Sequence, residues 1–519
     1  MASTFFGLTI AYSGLQAANT SLTITGHNVS NINTKGYTKQ QAGTQAADAL
    51  RTHTTYGAIG SGVVVTEISQ IRDSYYDVKY RNNMANYGQY SVKESYMGQI
   101  EDYLDEFTLN GYSQEYKNFF SAVNQLTITP GDTSAKNQLI NNAKSLADYF
   151  NTLTTNLRNV QADANNEIKD AVQQINSYAK NIAALNRQIN QIEANYGNAN
   201  DLRDKRNAMI DELSEIVNLE TSEEDMGNNV SNFSVRINGQ TLVSSYSYNT
   251  LETVARTDKK NYSDAEGLYD VQWNSGQKFD MYSTSLSGHL KGLIDIRDGN
   301  NGEHENIETD DNGNNVTDSD GNLVLTTAPA ADKTVSYKGV PYYQAQLNQF
   351  IQTFVSSINE ILTKGVTSDG SASGISLFVT QPNTTVMSAG NITVNPELLK
   401  NADLLAIKKE QNDGESDAKI MEELNKLQSE KIFAGGTGSY FLESIVSDMS
   451  IDSQKAVNLY KNYTDLKTSI HNQRLSIMGV DTDEEAMDMI KYQQAYNLNS
   501  KMMSVMNQIY DKLINQTGI

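Results

Sequence analysis

The chain has 519 residues, enough for about three or four domains of ordinary size. It carries 40 Lys and Arg against 62 Asp and Glu, a formal net charge of −22, and so acidic a surface argues against binding nucleic acid or a membrane surface. Cysteine is absent, which excludes a disulfide framework, a thiol nucleophile and a thiolate metal site.

The first 34 residues are predicted to form a helix with one apolar face. Its face positions alternate by three and four, as in a coiled-coil seam, at Leu8, Ala11, Leu15, Ala18, Leu22, Thr25, Val29 and Ile32. Thr, Ser and Asn weaken isolated helices, so the stability of this segment must come from packing. The Asn-rich stretch at residues 28–37, with Gly36 near its end, predicts where the helix stops.

No targeting or membrane segment is recognisable by pattern. The first Lys or Arg is Lys35, whereas a cleavable signal peptide begins with a basic region. No run approaches the roughly 18 consecutive apolar residues that a membrane span needs. We therefore expect a protein that is either cytoplasmic or exported by a route that reads no such signal.

Two further helical regions follow. Residues 70–125 have apolar positions at helical spacing, and the span between Gly131 and Gly197 contains neither Gly nor Pro. Helical spacing from Leu157 to Tyr196 predicts one helix of about 40 residues, about 60 Å long, which suits a rod-shaped bundle.

The period changes at about residue 226. Phe233, Val235 and Ile237 alternate before Asn238-Gly239, which predicts a β-hairpin. The region to about residue 400 is typical of β structure, with helices expected at 281–297 and 341–364 and an acidic surface hairpin or loop at 302–324. Residues 400–431 are predicted to be helical again.

Two helices are predicted to close the chain. The first has apolar positions from Ala456 to Ile477 and stops at Gly479, and the second opens with a capping box at Thr482 and Glu485. The face positions of the second are Met489, Tyr492, Tyr496, Asn499, Met503, Met506, Tyr510 and Leu513. A neighbouring row, Ala495, Leu498, Met502, Val505 and Ile509, makes the apolar arc too wide for one partner helix.

The pattern predicts an α+β protein in which terminal helices form coiled-coil and long bundle domains and a β-rich domain is inserted between them. Residues 1–45 with 480–519 are predicted to form the terminal coiled-coil domain, 46–225 with 400–479 a long helical bundle, and 226–399 the inserted domain. No catalytic, cofactor or metal site is predicted. The run Glu303-His304-Glu305 is better explained as a solvated acidic loop, and the chain lacks H-E-x-x-H, phosphate-loop and G-x-S-x-G motifs.

Both ends resemble the bacterial flagellar axial proteins. Residues 13–40 are similar to the helix and Asn-rich stretch shared by rod, hook and hook-associated proteins, with Lys35 where Pro is common; the matching positions are Asn28, Asn31, Asn33, Thr34, Gly36 and Tyr37. Residues 478–503 resemble the hook-associated members through Gly479, Val480, Asp483, Glu484, Glu485, Tyr492, Gln493, Gln494, Ala495 and Tyr496. Residues 174–217 resemble their long helix and the Asp-Leu-Arg-Asp turn that follows.

This resemblance implies a non-enzymatic structural subunit of the junction between hook and filament. It implies a homo-oligomeric ring that contacts the hook protein, a second junction protein and flagellin, and no cofactor, nucleic acid or membrane partner. It also implies type III export to the flagellum at the cell exterior, with a chaperone on the C-terminal helix. Two alternatives stay open: another axial protein (hook protein or flagellin), or an exported protein whose middle domain binds a glycan or a surface.

Subunit contacts are expected at the apolar faces of the two terminal helices and at the Asn-rich stretch. The candidate interface residues are Leu8, Leu15, Leu22, Asn28, Val29, Asn31, Asn33, Gly36, Tyr37, Tyr492, Gln493, Gln494, Tyr496, Leu498, Met502, Val505, Met506, Ile509 and Leu513.

Overall fold

The computed structural model of the chain describes residues 6–51, 58–104, 111–299, 304–308, 310, 314–317, 323–328, 338–367, 372–382, 384–412, 414, 416–433 and 435–515. The chain divides into two compact units. The first comprises Met1–Ala85, Ile175–Thr250 and Tyr463–Ile519, and the second comprises Asn86–Gln174 and Leu251–Asn462. The three domain ranges expected from the sequence stay a prediction.

Helices dominate the described residues. They are α1 (Phe6–Ser30), α2 (Ser74–Leu104), α3 (Tyr112–Ile128), α4 (Thr133–Glu193), α5 (Asn200–Ile216), α6 (His289–Asp298), α7 (Val340–Thr363), α8 (Pro396–Lys400), α9 (Lys419–Leu427), α10 (Gly438–Met478) and α11 (Thr482–Asn515), with a 3₁₀ turn at Ala402–Leu404. None of these helices is both long enough and apolar enough to cross a membrane. At 61 residues α4 is longer than predicted, because buried apolar positions such as Leu139, Leu146 and Leu153 continue the helical spacing upstream of Leu157.

The strands are short and pair antiparallel. They are β1 (Gln40–Ala46), β2 (Leu50–Arg51), β3 (Ala58–Ile59), β4 (Val63–Gln70), β5 (Glu220–Asp225), β6 (Ser231–Ile237), β7 (Gln240–Ser244), β8 (Ser247–Tyr248), β9 (Leu251–Ala255), β10 (Tyr269–Trp273), β11 (His304–Ile307), β12 (Leu325–Ala328), β13 (Val366–Thr367), β14 (Phe378–Thr380), β15 (Ile392–Val394) and β16 (Ala406–Lys408). The order β5-β6-β7-β8 makes a four-stranded sheet, and the other pairs are two-stranded. The predicted hairpin is β6–β7, where Asn238 (φ 50°) and Gly239 (φ 76°) supply the left-handed turn that a two-residue connection needs.

The α+β prediction is confirmed, with three local corrections. The helix expected over 281–297 begins only at His289, after Gly288 at φ 110°. The prediction of helix over residues 400–431 is wrong: α8 ends at Lys400, the 3₁₀ turn and β16 follow, and among the described residues of the rest only Lys419–Leu427 forms an α-helix. Within the expected acidic hairpin at 302–324, residues 304–307 pair with 325–328 as β11 and β12, and residues 302, 303, 309, 311–313 and 318–322 lie outside the described residues.

The first unit is built where the end of α4 and α5 cover the four-stranded sheet. Ile189 of α4, Leu213 of α5 and Val235 of β6 are fully buried. Asn190 of α4 binds the backbone of Ser231 in both directions, donating to its carbonyl at 2.7 Å and accepting from its N–H at 3.1 Å. These paired bonds hold the first residue of β6 against the helix.

The second unit has a closed aromatic core. The Phe350 ring of α7 lies 5.5 Å from Phe354, 5.0 Å from Phe433 and 5.6 Å from Phe150, centroid to centroid. Phe350, Phe354 and Phe150 are almost completely buried. Stacked rings at this spacing add to the free energy of burial.

Candidate assembly interface

The two terminal helices α1 and α11 pack antiparallel on each other. A Cβ on Gly7 would collide with the Cε of Met506, and one on Gly14 would lie 2.7–2.9 Å from the side-chain amide of Asn499. The atoms that come this close are the ends of the Met506 and Asn499 side chains, which extend over the glycines of α1. The helices therefore meet on a face that is lined by small residues.

This face is a seam with a spacing of seven residues. Gly7, Gly14, buried Ser21 and buried Asn28 follow one another at that spacing along α1. The face lies one position before the leucines of the predicted stripe, and Leu8, Leu15, Leu22 and Val29 are half-buried beside it. A count of apolar residues overlooks Gly7 and Gly14, whose signal in the sequence is the repeat of small residues alone.

Asn28 is the most densely bonded polar side chain of this seam. Its amide donates to the carbonyl of Gln40 at 2.9 Å and to Oε1 of Glu485 at 3.1 Å. Its Oδ1 accepts from the N–H of Gln40 at 3.0 Å and from the hydroxyl of Tyr37 at 2.8 Å. Asn28 is 1% exposed, so one amide joins α1 to β1 and to the start of α11.

Glu485 is equally buried and has a second partner. Lys39 Nζ lies 3.2 Å from Oε1 of Glu485 and 2.7 Å from Oε2 of Glu484. Burial lowers the pKa of Lys39, but the hydrogen bonds and charges of these two carboxylates outweigh it and raise that pKa. The predicted capping box is wrong: Asp481 caps α11 by accepting from the N–H of Asp483 at 2.8 Å, which leaves Glu485 free to face α1.

The Asn-rich turn holds its shape through local hydrogen bonds. Asn31 donates to the carbonyl of His27 at 3.0 Å and accepts from Thr34 Oγ1 at 3.1 Å, while Asn33 is exposed. Burial, with nearby carboxylates, raises the pKa of Tyr37, which keeps its hydroxyl protonated as a donor. Gly36 is exposed and has φ +79°, a conformation that favours glycine.

The turn docks on α5. Thr38 donates to Asp204 through its N–H at 2.9 Å and its hydroxyl at 2.8 Å, and Gln40 Nε2 donates to Asp201 at 2.9 Å. Burial raises the pKa of Asp204, although the hydrogen bonds from Thr38 oppose the shift. The interface prediction did not include Asp201 and Asp204; the Asp-Leu-Arg-Asp pattern is the signal that marks them.

Beside the face that contacts α1, α11 has a second apolar face that is exposed, and we call it the outer face. Tyr492, Tyr496 and Met506 are half-buried on the side of α1, whereas Gln493 and Gln494 are exposed. Four residues of the second predicted row are exposed, Leu498 by 69%, Met502 by 42%, Val505 by 50% and Ile509 by 45%, while Ala495 is half-buried. Leu513, at the end of the first predicted row, is 50% exposed. Exposed apolar rows of this length mark surfaces that other chains cover.

The described residues contain no group of three or more His, Asp or Glu placed to hold a metal ion. Glu303, the first residue of the run Glu303-His304-Glu305 considered above, lies outside those residues.

Known flagellar proteins are similar to most of the chain. The family model of the flagellar hook-associated protein FlgK helical domain matches residues 97–378, more than half of the chain, and that of the flagellar basal body rod FlgEFG protein C-terminal region matches residues 471–516. Flagellar hook-associated protein 1 of Bacillus subtilis is 27% identical over 543 residues, covering 100% of this chain and 99% of its own length.

Two further relatives agree. Flagellar hook-associated protein 1 of Escherichia coli K12 is 27% identical over 555 residues, with 97% of this chain and 98% of its own covered. The solved structure of the flagellar hook junction protein FlgK from Burkholderia pseudomallei matches with a TM-score of 0.57 and 14% identity, over 77% of this chain and 100% of that one. This last likeness concerns the fold alone.

Proposed function

The chain belongs to the FlgK family of flagellar hook-associated proteins, and on that premise we propose that it forms the junction between hook and filament by assembling through its terminal helices. It is a structural component of the flagellum and not an enzyme. Its expected neighbours are further copies of itself in a ring, the hook protein on one side, and a second junction protein and flagellin on the other.

The observation that carries the proposal is the exposed apolar row of α11. Leu498, Val505 and Ile509 are exposed beside the face of α11 that α1 already covers. Burying a leucine stabilises an interface by about 1.5–3 kcal/mol, so several such residues supply a driving force for association. Exposure of Leu498, Met502, Val505 and Ile509 supports the expectation that they, rather than the seam with α1, contact other subunits.

Export fits the same helices. We propose that the subunit reaches the tip of the hook through type III export and that a chaperone covers the apolar face of α11 beforehand. Thr-, Ser- and Asn-rich α1 is weak as an isolated helix, so the ends gain order when they dock and their apolar faces are buried.

Deletion of the gene in the bacterium that encodes this protein tests the proposal. Electron microscopy should reveal hooks that lack filaments, and filament protein should appear in the medium. Expression of the full chain should restore attached filaments. Normal filaments in the deletion strain would contradict the proposed junction role.

A further inference from the structure

We propose that the buried pair Asn28–Glu485 sets the register in which the two terminal helices of this chain pair. The inference rests on the proposed function, because neighbouring subunits can meet the outer face of α11 at the same position only if every chain pairs its two terminal helices in the same register. Its evidence is geometric: Asn28 and Glu485 are 1% exposed and 3.1 Å apart, on opposite helices.

The rest of the seam does not fix a register. Because Gly7, Gly14 and Ser21 are all small and seven residues apart, a slip of seven residues places one small residue where another was. In one slip Gly14 would face Tyr492, and in the other it would face Met506. Each slip again places a small residue of α1 opposite one larger side chain of α11, so the repeat of small residues by itself leaves three registers open.

Asn28 and Glu485 separate these registers. A slip of seven residues moves them apart by about 10 Å along the helix axis. The buried carboxylate would then lose the amide of Asn28, and the Lys39 that now lies 3.2 Å from it would face a different part of α11. An unpaired buried charge is far more costly than an unpaired exposed one. A single buried Asn fixes register in coiled coils for the same reason.

The native absence of cysteine makes disulfide trapping a direct test on the full chain. Gly14→Cys with Asn499→Cys reports the native register, since a Cβ at position 14 lies 2.9 Å from Cγ of Asn499, the atom whose place the sulfur of a cysteine at position 499 would take. Gly14→Cys with Tyr492→Cys or with Met506→Cys reports the two slipped registers. Mild oxidation followed by peptide mass spectrometry measures each crosslink.

We expect the native pair to crosslink at least about tenfold more than either slipped pair. In the Asn28→Leu background this ratio should fall to within about threefold, and Glu485→Leu should do the same from the other helix while leaving the bonds of Asn28 to Gln40 and Tyr37 available. Asn19→Leu, on an exposed position of α1, is the matched control and should keep the native ratio. Circular dichroism confirms that each variant retains its helices.

An unchanged ratio in both Asn28→Leu and Glu485→Leu would overturn the inference. Equal crosslinking of native and slipped pairs in the parent chain would also overturn it. Because trapping is read on the free chain, a failed register test with filaments still absent in the deletion strain rejects the register inference and leaves the proposed function standing.

Discussion

The aromatic core of the second unit and the terminal helix pair both contain large apolar side chains, but the core buries them and the helix pair leaves several exposed. Phe350 is completely buried and lies against five other aromatic rings, whereas Leu498 is 69% exposed. The first cluster is complete within one chain. The second leaves an apolar row that one chain does not cover, so only the second region is shaped for association.

Removal of α11 should separate these two roles most strongly. Deleting residues 482–519 removes the exposed row and the partner of α1, so we expect no junction and no attached filaments. The second unit should stay folded. Trp273, the sole tryptophan, is buried in that unit, so its fluorescence during denaturant unfolding measures this directly.

A truncated chain that still joined filament to hook would contradict the role assigned to the terminal pair. A large shift of the Trp273 unfolding midpoint would instead contradict the independence of the second unit.

Truncation of the aromatic core should have the opposite outcome. Phe350→Ala should lower the free energy of unfolding of the second unit by about 3–5 kcal/mol, because it leaves a cavity among stacked rings. Trp273 fluorescence is again the measurement. Phe350→Leu, which keeps much of the volume, is the control and should cost less; equal losses would argue against a tightly packed core.

The second unit also contains a buried carboxylate, Asp298, and the loss of stability on removing it should depend on pH. Burial raises the pKa of Asp298, but Arg297 and Arg256 outweigh it and hold that pKa well below its usual range. The stabilisation is therefore present above the pKa of the unfolded chain, near 4, and is lost as the pH falls toward the folded pKa.

Asp298→Asn should accordingly cost about 3 kcal/mol at pH 7, since it leaves buried Arg297 without its carboxylate partner and Arg256 with Asp270 alone. The difference from the parent chain should hold between pH 7 and 5 and narrow below about pH 4. Exposed Asp258→Asn is the control and should change stability by less than about 0.5 kcal/mol. A cost for Asp298→Asn that grew in acid would contradict the assignment.

Periodicity was sufficient to predict the long helices, the β6–β7 hairpin and the breaks after Ser30 and at Gly479, because each depends on local spacing or on a glycine turn. Ala11, Ala18 and Thr25 of the predicted stripe on α1 are buried as expected. The leucine positions of that stripe lie one residue after the seam, since Gly7 and Gly14 carry no apolar signal and their role depends on a distant helix. The contact of Glu485 with Asn28 could not be predicted for the same reason, since Asn28 is far away in sequence. Local spacing assigns Glu485 to the cap of α11, which Asp481 provides instead.

A polar substitution on the outer face of α11 should have the smallest effect on stability and should test most directly whether that face drives assembly. Leu498→Gln keeps a good helix former at a position that contacts water in the free chain, so its unfolding free energy should change by less than about 0.5 kcal/mol. Assembly should suffer, because losing a buried leucine at each subunit contact weakens association roughly 10- to 100-fold. The fraction of hooks that carry filaments, counted by electron microscopy, measures this.

Ile451→Gln on α10, where the side chain is 63% exposed, is the control. It removes a similar amount of exposed apolar surface outside the terminal pair and should leave a higher fraction of hooks with filaments than Leu498→Gln does. Equal losses from the two substitutions would indicate that exposed apolar surface in general, rather than the outer row of α11, drives the junction together.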